Sequence, residues 1–287
     1  MKRILLLGSN GQLGHSCKEH LAKDSELICA SYSHSKDSTQ IDISNEKKII
    51  KLFNKTNPNI VINLSAYTDV DGCERNPDLA MRINFEGVKH ICNHFNGHLI
   101  HISTDYVFDG KFGPYDENSI TNPISAYGSS KLLGENFIRK NKNSFTILRT
   151  NVLYDYHANT KASYLKWVID SLKNNKKINI VDDQWNNPTW ASSLANIISI
   201  ITKSKNFGLF HYADHGIMNR YEFTLLIAEI FDFDPSLIMR IKSKDLKQDA
   251  LRPKKSGLIT KKIEKELKIK PPSVKSCLIK IKEQMSL

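Results

Sequence analysis

Short, unbroken apolar runs alternate with stretches of helical length through the first half of the chain. The runs are Arg3–Leu7, Glu26–Ala30, Asn59–Leu64, His98–Ile102 and Phe145–Leu148, and the stretches between them include Gln12–Lys23, Ser44–Lys55 and Pro77–Phe95. Apolar runs without polar alternation predict strands covered on both faces, as in a parallel sheet whose crossovers are helices. The expected fold is α/β, a doubly wound parallel sheet. After about Thr150 the pattern loosens. Loop residues cluster at Asp182–Pro188, helical patterns recur at Ser192–Lys203 and Arg220–Phe231, and prolines follow at 271 and 272. These features predict a sheet domain over residues 1–150 and a smaller lobe over 151–287, interleaved with a further strand and helix of the sheet.

Composition narrows the class. Hydrophobic residues make up 40% and charged residues 25%, which excludes disordered and fibrous chains. The apolar start, Ile4 to Leu7, is shorter than the roughly 7 to 15 residues of a signal peptide core or the ~20 of a membrane span, so a cytoplasmic protein without membrane association is expected. Five cysteines without a CxxC pair or a histidine cluster read as reduced, packed thiols, and no metal site is expected. The net charge of +11 gathers at the end: Arg240 to Leu287 holds 15 Lys or Arg against 5 Asp or Glu. Such a segment either attracts an anion, a nucleic acid or a diphosphate, or forms solvated helix faces. It carries no interleaved aromatics, so no nucleic-acid partner is expected.

The first strand runs into Gly8-Ser-Asn10-Gly11-Gln12-Leu13-Gly14, a GxxGxxG spacing that opens a helix. Glycines serve a tight turn, close approach of the backbone to a pyrophosphate, and packing of helix on strand, so the spacing predicts a Rossmann-type dinucleotide site. At the end of the second strand, Cys29-Ala-Ser-Tyr-Ser-His34-Ser-Lys36 lacks the acidic residue that takes ribose hydroxyls, and its hydroxyls with His34 and Lys36 suit a 2′-phosphate. NADPH is therefore expected over NADH, the other reading being an exposed loop that accepts either. Asp42 and Ile43 are placed either to meet the adenine edge or to start a helix.

The segment Tyr127-Gly-Ser-Ser-Lys131 puts a phenol and an amine four apart, on one helix face. A phenol ordinarily titrates near 10, and a neighbouring ammonium, together with the cationic nicotinamide ring, is expected to favour the phenolate. The run His98–Ile102 leads into Ser103-Thr104-Asp105-Tyr106, which delivers hydroxyls to the carboxyl edge of the sheet. Thr104 is the candidate to hold a substrate carbonyl, Tyr127 to donate its proton, and Lys131 to orient the cofactor ribose.

Several motifs in order make the chain resemble the dTDP-4-dehydrorhamnose reductases, a family of extended short-chain dehydrogenases. They are Gly11-Gln-Leu-Gly14, Asn63-Leu-Ser-Ala-Tyr-Thr-Asp-Val-Asp71, Ile102-Ser-Thr-Asp-Tyr-Val-Phe-Asp-Gly110, Tyr127-Gly-Ser-Ser-Lys131, Arg149-Thr150, Asp183-Gln184 with Pro188-Thr189, Tyr221-Glu-Phe223 and Arg252-Pro253. The resemblance implies NADPH-dependent reduction of a nucleotide-linked 4-keto-6-deoxy sugar, in deoxysugar and surface polysaccharide biosynthesis, with Thr104, Tyr127 and Lys131 as the catalytic trio. Gly8, Asn10, Gly11, Gln12, Leu13, Gly14, Asp42, Ile43, Leu64, Ser65, Ala66 and Tyr67, with Tyr127 and Lys131, are the expected cofactor contacts. Thr104, Asp105, Tyr106, Val152 and Arg252 are the expected substrate contacts. Sugar-nucleotide dehydratases carry Asp-Glu where this chain has Asp105-Tyr106, which favours a reductase. The chain departs from the family pattern at Asn151-Val152, where a tryptophan is usual, at Ser16 for a metal-binding glutamate, and at Arg220 for a tryptophan. A nucleotide-sugar substrate and a homodimer are the expected partners, but with Ser16 in place of the glutamate neither the family's metal nor its metal-held dimer contact is carried over. The family is also similar to the non-catalytic, NADP-binding β subunit of methionine adenosyltransferase, which stands as the alternative function. Arg252 could meet a diphosphate or pin the chain before Pro253. Asp182, Asp183 and the Asp214 cluster with His211 and His215 read as turn and loop residues.

Overall fold

The computed structural model describes residues 1–156, 163–204 and 206–285. Strands β1 (Lys2–Leu7), β2 (Ser25–Ser31), β3 (Thr39–Gln40), β4 (Ile60–Asn63), β5 (His98–Thr104) and β6 (Phe145–Thr150) form one parallel sheet in the order β6-β5-β4-β1-β2-β3. A later strand extends its β6 edge. Helices α1 (Gln12–Leu21), α2 (Glu46–Thr56), α3 (Val70–Arg75), α4 (Pro77–Met81), α5 (Gly87–His94) and α6 (Ala126–Asn141) make the crossovers. This is the doubly wound Rossmann-type sheet expected from the apolar runs.

Beyond β6 come β7 (Leu153–Tyr154), α7 (Tyr164–Lys173), β8 (Ile178–Val181), β9 (Trp185–Asn186), β10 (Thr189–Trp190), α8 (Ala191–Lys203) and β11 (Gly208–His211), and β11 is the strand that joins β6. The chain ends with β12 (Met218–Asn219), α9 (Arg220–Phe231), β13 (Ile238–Ile241), α10 (Lys261–Leu267) and α11 (Val274–Met285). The lobe strands pair in twos: β7 with β10, β9 with β12, and β8 with β13.

Three large apolar cores among the described residues follow from this order. One sheet face, with Ile4, Leu6, Ile62 and Ile100, packs on α1 and α8 and takes in Ile263 of α10. The other face, with Leu5, Leu7, Val61, Leu99 and Ile147, packs on α2, α5 and α6. The lobe encloses Leu165, Val168, Phe223, Ile227, Val274 and Leu278 from α7, α9 and α11. Helix starts are set by local side chains. Asn45 caps α2, Ser125 caps α6, and Asn219 with Glu222 closes a reciprocal box on α9.

Several boundaries differ from the apolar pattern. The run His98–Ile102 continues as strand through Thr104, and Phe145–Leu148 through Thr150, because the polar residues at these ends are buried. The segment Pro77–Phe95 is helical to His94 but widens into a π turn over Arg82–Glu86, a device often found beside functional sites. Asp182–Pro188, read as loop, contains β9. Among the described residues no helix is long and apolar enough to cross a membrane.

The basic C-terminal segment is partly spent on internal pairing. Arg240 and Lys242 hold Asp182, Lys254 approaches Asp183, Lys275 meets Glu229 and Lys282 meets Asp232.

Candidate active site

The parallel register brings the candidate residues to one edge. Leu7 lies beside Asn63, Asn63 beside His101, and Thr104 beside Thr150, so the carboxyl ends of β1, β4, β5 and β6 open on a common crevice. Ligands of open α/β sheets bind on this side.

The glycine loop is built to lie against β4. Gly8 has φ +83°, a left-handed angle that costs other residues strain, and a β-carbon there would stand 2.9 Å from the Ser65 amide nitrogen. The helix that begins at Gln12 follows directly, with Leu13 and Gly14 buried. Asn10 ties the loop to the end of β2: its amide donates to the Ser33 carbonyl (3.1 Å) and the Ser38 hydroxyl (3.2 Å), and its oxygen accepts from Ser35 (3.3 Å). His34 and Lys36 are exposed at this serine-lined bay. The Ser9 hydroxyl is buried with the Cys29 thiol against it, and the Gln12 side-chain oxygen is buried without a protein partner. A buried hydroxyl beside a glycine turn can donate to a phosphate-bearing ligand, whereas the Gln12 oxygen only accepts and suits a donor such as a ribose hydroxyl. Asp42 accepts from the Ser44 amide (2.9 Å) and hydroxyl (2.7 Å), setting the turn before α2, while Ile43 is buried.

Leu64, Ser65, Ala66 and Tyr67 follow β4 along the crevice. A residue not singled out from the sequence, Asn84 of the π turn, holds this segment. It accepts from the Tyr67 amide (2.8 Å) and donates to the Tyr67 carbonyl (3.1 Å) and to Ser130 of α6 (3.0 Å). Its sequence signal was faint, a polar residue among apolar ones in an otherwise helical run.

Helix α6 presents Tyr127 and Lys131. A β-carbon at Gly128 would overlap the Tyr106 carbonyl, so only glycine lets the helix approach the end of β5 this closely. The Thr104 hydroxyl hydrogen bonds the Tyr127 phenol, and the Tyr106 ring meets the Tyr127 ring edge-on at 5.5 Å. Burial pushes the phenol above its ordinary value, with Asp105 and Tyr106 adding to the effect and the Thr104 bond opposing it. The direction is opposite to the shift expected from a lysine ammonium together with a nicotinamide cation, because burial dominates in the chain alone. The amine instead points into the sheet, where it donates to the Ile102 carbonyl (2.7 Å) and lies 3.3 Å from Nε2 of His101. Burial draws Lys131 down to about 8, against the pull of Glu135.

Glu135, one turn beyond Lys131, forms a fully buried pair with Arg149 of β6 (2.6 Å), and Ser103 also donates to it. This pair fixes α6 to the ends of β5 and β6. A charge pair is affordable there because the carboxylate is met by several donors.

The substrate-side candidates lie where β5 and β6 meet the lobe. Asp105 is buried and pushed up to about 6 by desolvation, although Ser256 donates to it at 2.5 Å and Thr104 at 3.2 Å. Arg220, at the head of α9, sits over the Tyr164 ring (5.0 Å) and acts electrostatically on Asp105 and Tyr106. Asn151 donates to Asn187 (3.1 Å) and to the Ser256 carbonyl (3.3 Å), and its own oxygen is buried without a partner. Val152 has φ +42°, rare for a β-branched residue. Arg252 gives both arms of its fork to Asp71, at 2.8 and 2.7 Å, and also bonds the Ala250 carbonyl. The contact holds Asp71 down at about 2. Asp183 serves Ser243, and Asp214 accepts from the Trp190 amide and Ser193. Among the described residues no group of three or more His, Cys, Asp or Glu could hold a metal ion. Ser16 bonds Asp155.

Comparison with known proteins gives a consistent result. The family model of the RmlD substrate binding domain matches residues 1–286. A probable low-salt glycan biosynthesis reductase of Haloferax volcanii is 31% identical, the match covering 97% of each chain. A dTDP-4-dehydrorhamnose reductase of Aggregatibacter actinomycetemcomitans is 29% identical over 94% of this chain and 95% of its own. Among solved structures, a dTDP-4-dehydrorhamnose reductase from Clostridium acetobutylicum superposes with a TM-score of 0.90 at 33% identity, covering 99% of this chain and 100% of that one. The Bacillus anthracis dTDP-4-dehydrorhamnose reductase in complex with NADP gives 0.92 at 27% identity, covering 99% of each.

Proposed function

Since the chain belongs to the family of the RmlD substrate binding domain, we propose that it is an NADPH-dependent reductase of a nucleotide-linked 4-keto-6-deoxy sugar, working in glycan or polysaccharide biosynthesis. The observation that carries this reading is the convergence of Thr104, Tyr127 and Lys131 at the carboxyl edge of β5, beside the glycine loop. The names of its relatives, a glycan biosynthesis reductase and dTDP-4-dehydrorhamnose reductases, support the substrate class.

In this reading the turn from Gly8 to Gly14, with Ser9, Asn10, Gln12 and Leu13, holds the pyrophosphate, and Asp42 and Ile43 border the adenine. Leu64, Ser65, Ala66 and Tyr67 line the path to the nicotinamide end. His34 and Lys36 beside the Ser31–Ser38 hydroxyls favour a 2′-phosphate. NADPH, held there, would supply a hydride to the ketone carbon. Thr104 then hydrogen bonds the reacting oxygen, and Tyr127 gives it a proton. The phenol's high proton affinity keeps it in the donating form. Lys131 holds the cofactor ribose, and its charge favours the phenolate as the proton leaves. Asp105, Tyr106, Val152 and Arg252 bound the side on which the sugar nucleotide lies.

The test is NADPH consumption with a panel of nucleotide keto-sugars, dTDP-4-dehydrorhamnose first. Turnover with at least one is expected, and Tyr127→Phe should lower it about 10³-fold while NADPH still binds. Full turnover by Tyr127→Phe removes the assignment. NADPH binding without turnover on any substrate would favour a regulatory subunit.

A further inference from the structure

Behind Lys131 lies a buried imidazole that the proposed reaction does not use. His101 stands on β5 beside Asn63 of β4, and both are almost wholly enclosed. The Ser65 amide donates to Oδ1 of Asn63 at 3.1 Å. An amide N–H can only donate, so the atom of Asn63 that faces it is the oxygen, and Nδ2 is left facing Nδ1 of His101 at 3.1 Å. Nδ2 is itself a donor, so Nδ1 accepts and carries no hydrogen. The neutral ring then has its hydrogen on Nε2, which lies 3.3 Å from the amine of Lys131.

A chain of fixed donors therefore runs from the peptide under the glycine loop to the candidate catalytic lysine. Its last member, an N–H, meets an amine. A neutral amine can accept that hydrogen bond while donating to the Ile102 carbonyl; an ammonium has only hydrogens to offer and is repelled.

We infer that His101 is a positioning residue, locked by Asn63 in its Nε2–H form, which favours the neutral form of Lys131 and so sets the pH above which the enzyme loses the lysine's charge. The inference rests on Tyr127 and Lys131 acting as proposed. The groups facing Lys131 are His101 from β5 and Glu135 from its own helix, and the carboxylate opposes the imidazole. The group facing His101 from α6 is Lys131; burial chiefly, and that amine's charge in addition, holds the imidazole neutral. Activity that needs the ammonium is retained at low pH and lost as pH rises through the lysine's titration near 8.

Two measurements on the full chain test this. Histidine nitrogen NMR should show His101 with a bare Nδ1 and a protonated Nε2 across the neutral range; a proton on Nδ1 overturns the inference. The alkaline limb of kcat should move up by about one pH unit in His101→Phe, which lacks the donor. His101→Gln, which can aim an amide N–H at the lysine, should bring the limb back. If His101→Phe does not fold, Asn63→Asp serves, because a carboxylate would accept from both Ser65 and Nδ1–H and so reverse the imidazole; its limb should also rise. A limb unmoved in a folded variant overturns the inference. The underlying reading fails separately: Tyr127→Phe with full turnover sinks it and leaves the His101 spectrum as described.

Discussion

The sheet and its seam with the lobe bury ionisable groups of opposite kind. Within the sheet these are bases held neutral: His98 is drawn down to about 4 and His211 to about 3, with burial as the main cause, and His101 also lies well below its ordinary value. At the seam they are acids whose hold on the proton is raised, Asp105 and Asp214, each pushed up to about 6 by desolvation. The difference follows from the neighbours. The strands bring Lys131 and Arg149 close to imidazole nitrogens, at 3.3 Å in each case, and a second positive charge is resisted there. The seam offers hydroxyls and a backbone N–H, which bind carboxyl oxygens but do not fully replace water.

The largest expected effect strikes the sheet side alone. Glu135→Leu strands the Arg149 guanidinium in the interior and should cost about 3 to 5 kcal/mol, read as a lower urea midpoint. A loss under about 1 kcal/mol would mean that His211 and the Phe108 ring suffice to hold the arginine.

A middle-sized effect separates the two regions by pH. Between about 4 and 6.5 the folded chain binds fewer protons at His98 than the unfolded chain does, so that histidine's contribution falls as pH drops. Between about 4 and 6 the folded chain binds more protons at Asp214, so that group's contribution falls as pH rises. The two slopes oppose. Asp214→Asn should therefore steepen the loss of stability on acidification below pH 6, and His98→Phe should flatten it, measured as urea midpoints over this range. Parallel slopes for both variants and the parent would erase the contrast.

The smallest effect concerns the lobe entrance. Val152→Gly relieves a left-handed angle but gives up some packing and chain stiffness, and stability should change by less than about 1 kcal/mol. A cost above about 2 kcal/mol would show that its contacts with the lobe core outweigh the strain.

Legibility divides along the same line. The strands of the sheet could be read because burial on both faces leaves an apolar run, and the glycine turn and Tyr127–Lys131 pair because their spacing is local. The limits of β5 and β6 were harder, since Ser103, Thr104, Arg149 and Thr150 are polar yet enclosed by partners far along the chain. The same reason hid Asn84, His101 and Ser256. Each owes its place to contacts across many residues, and Ser256 reaches Asp105 over a separation of 151. The paired two-residue strands of the lobe are too short to impose a period of their own. The long helices α8 and α9 were visible because their apolar faces are continuous.

The path of the chain between its three cores has a mechanical consequence. It leaves the sheet after Thr150, returns with α8 and β11, departs again for α9, comes back with Ile263 and crosses once more to reach Val274. A lobe threaded to its base in this way can move only if all of its connections bend together, and a protease that cuts a single connection should leave both halves clasped together.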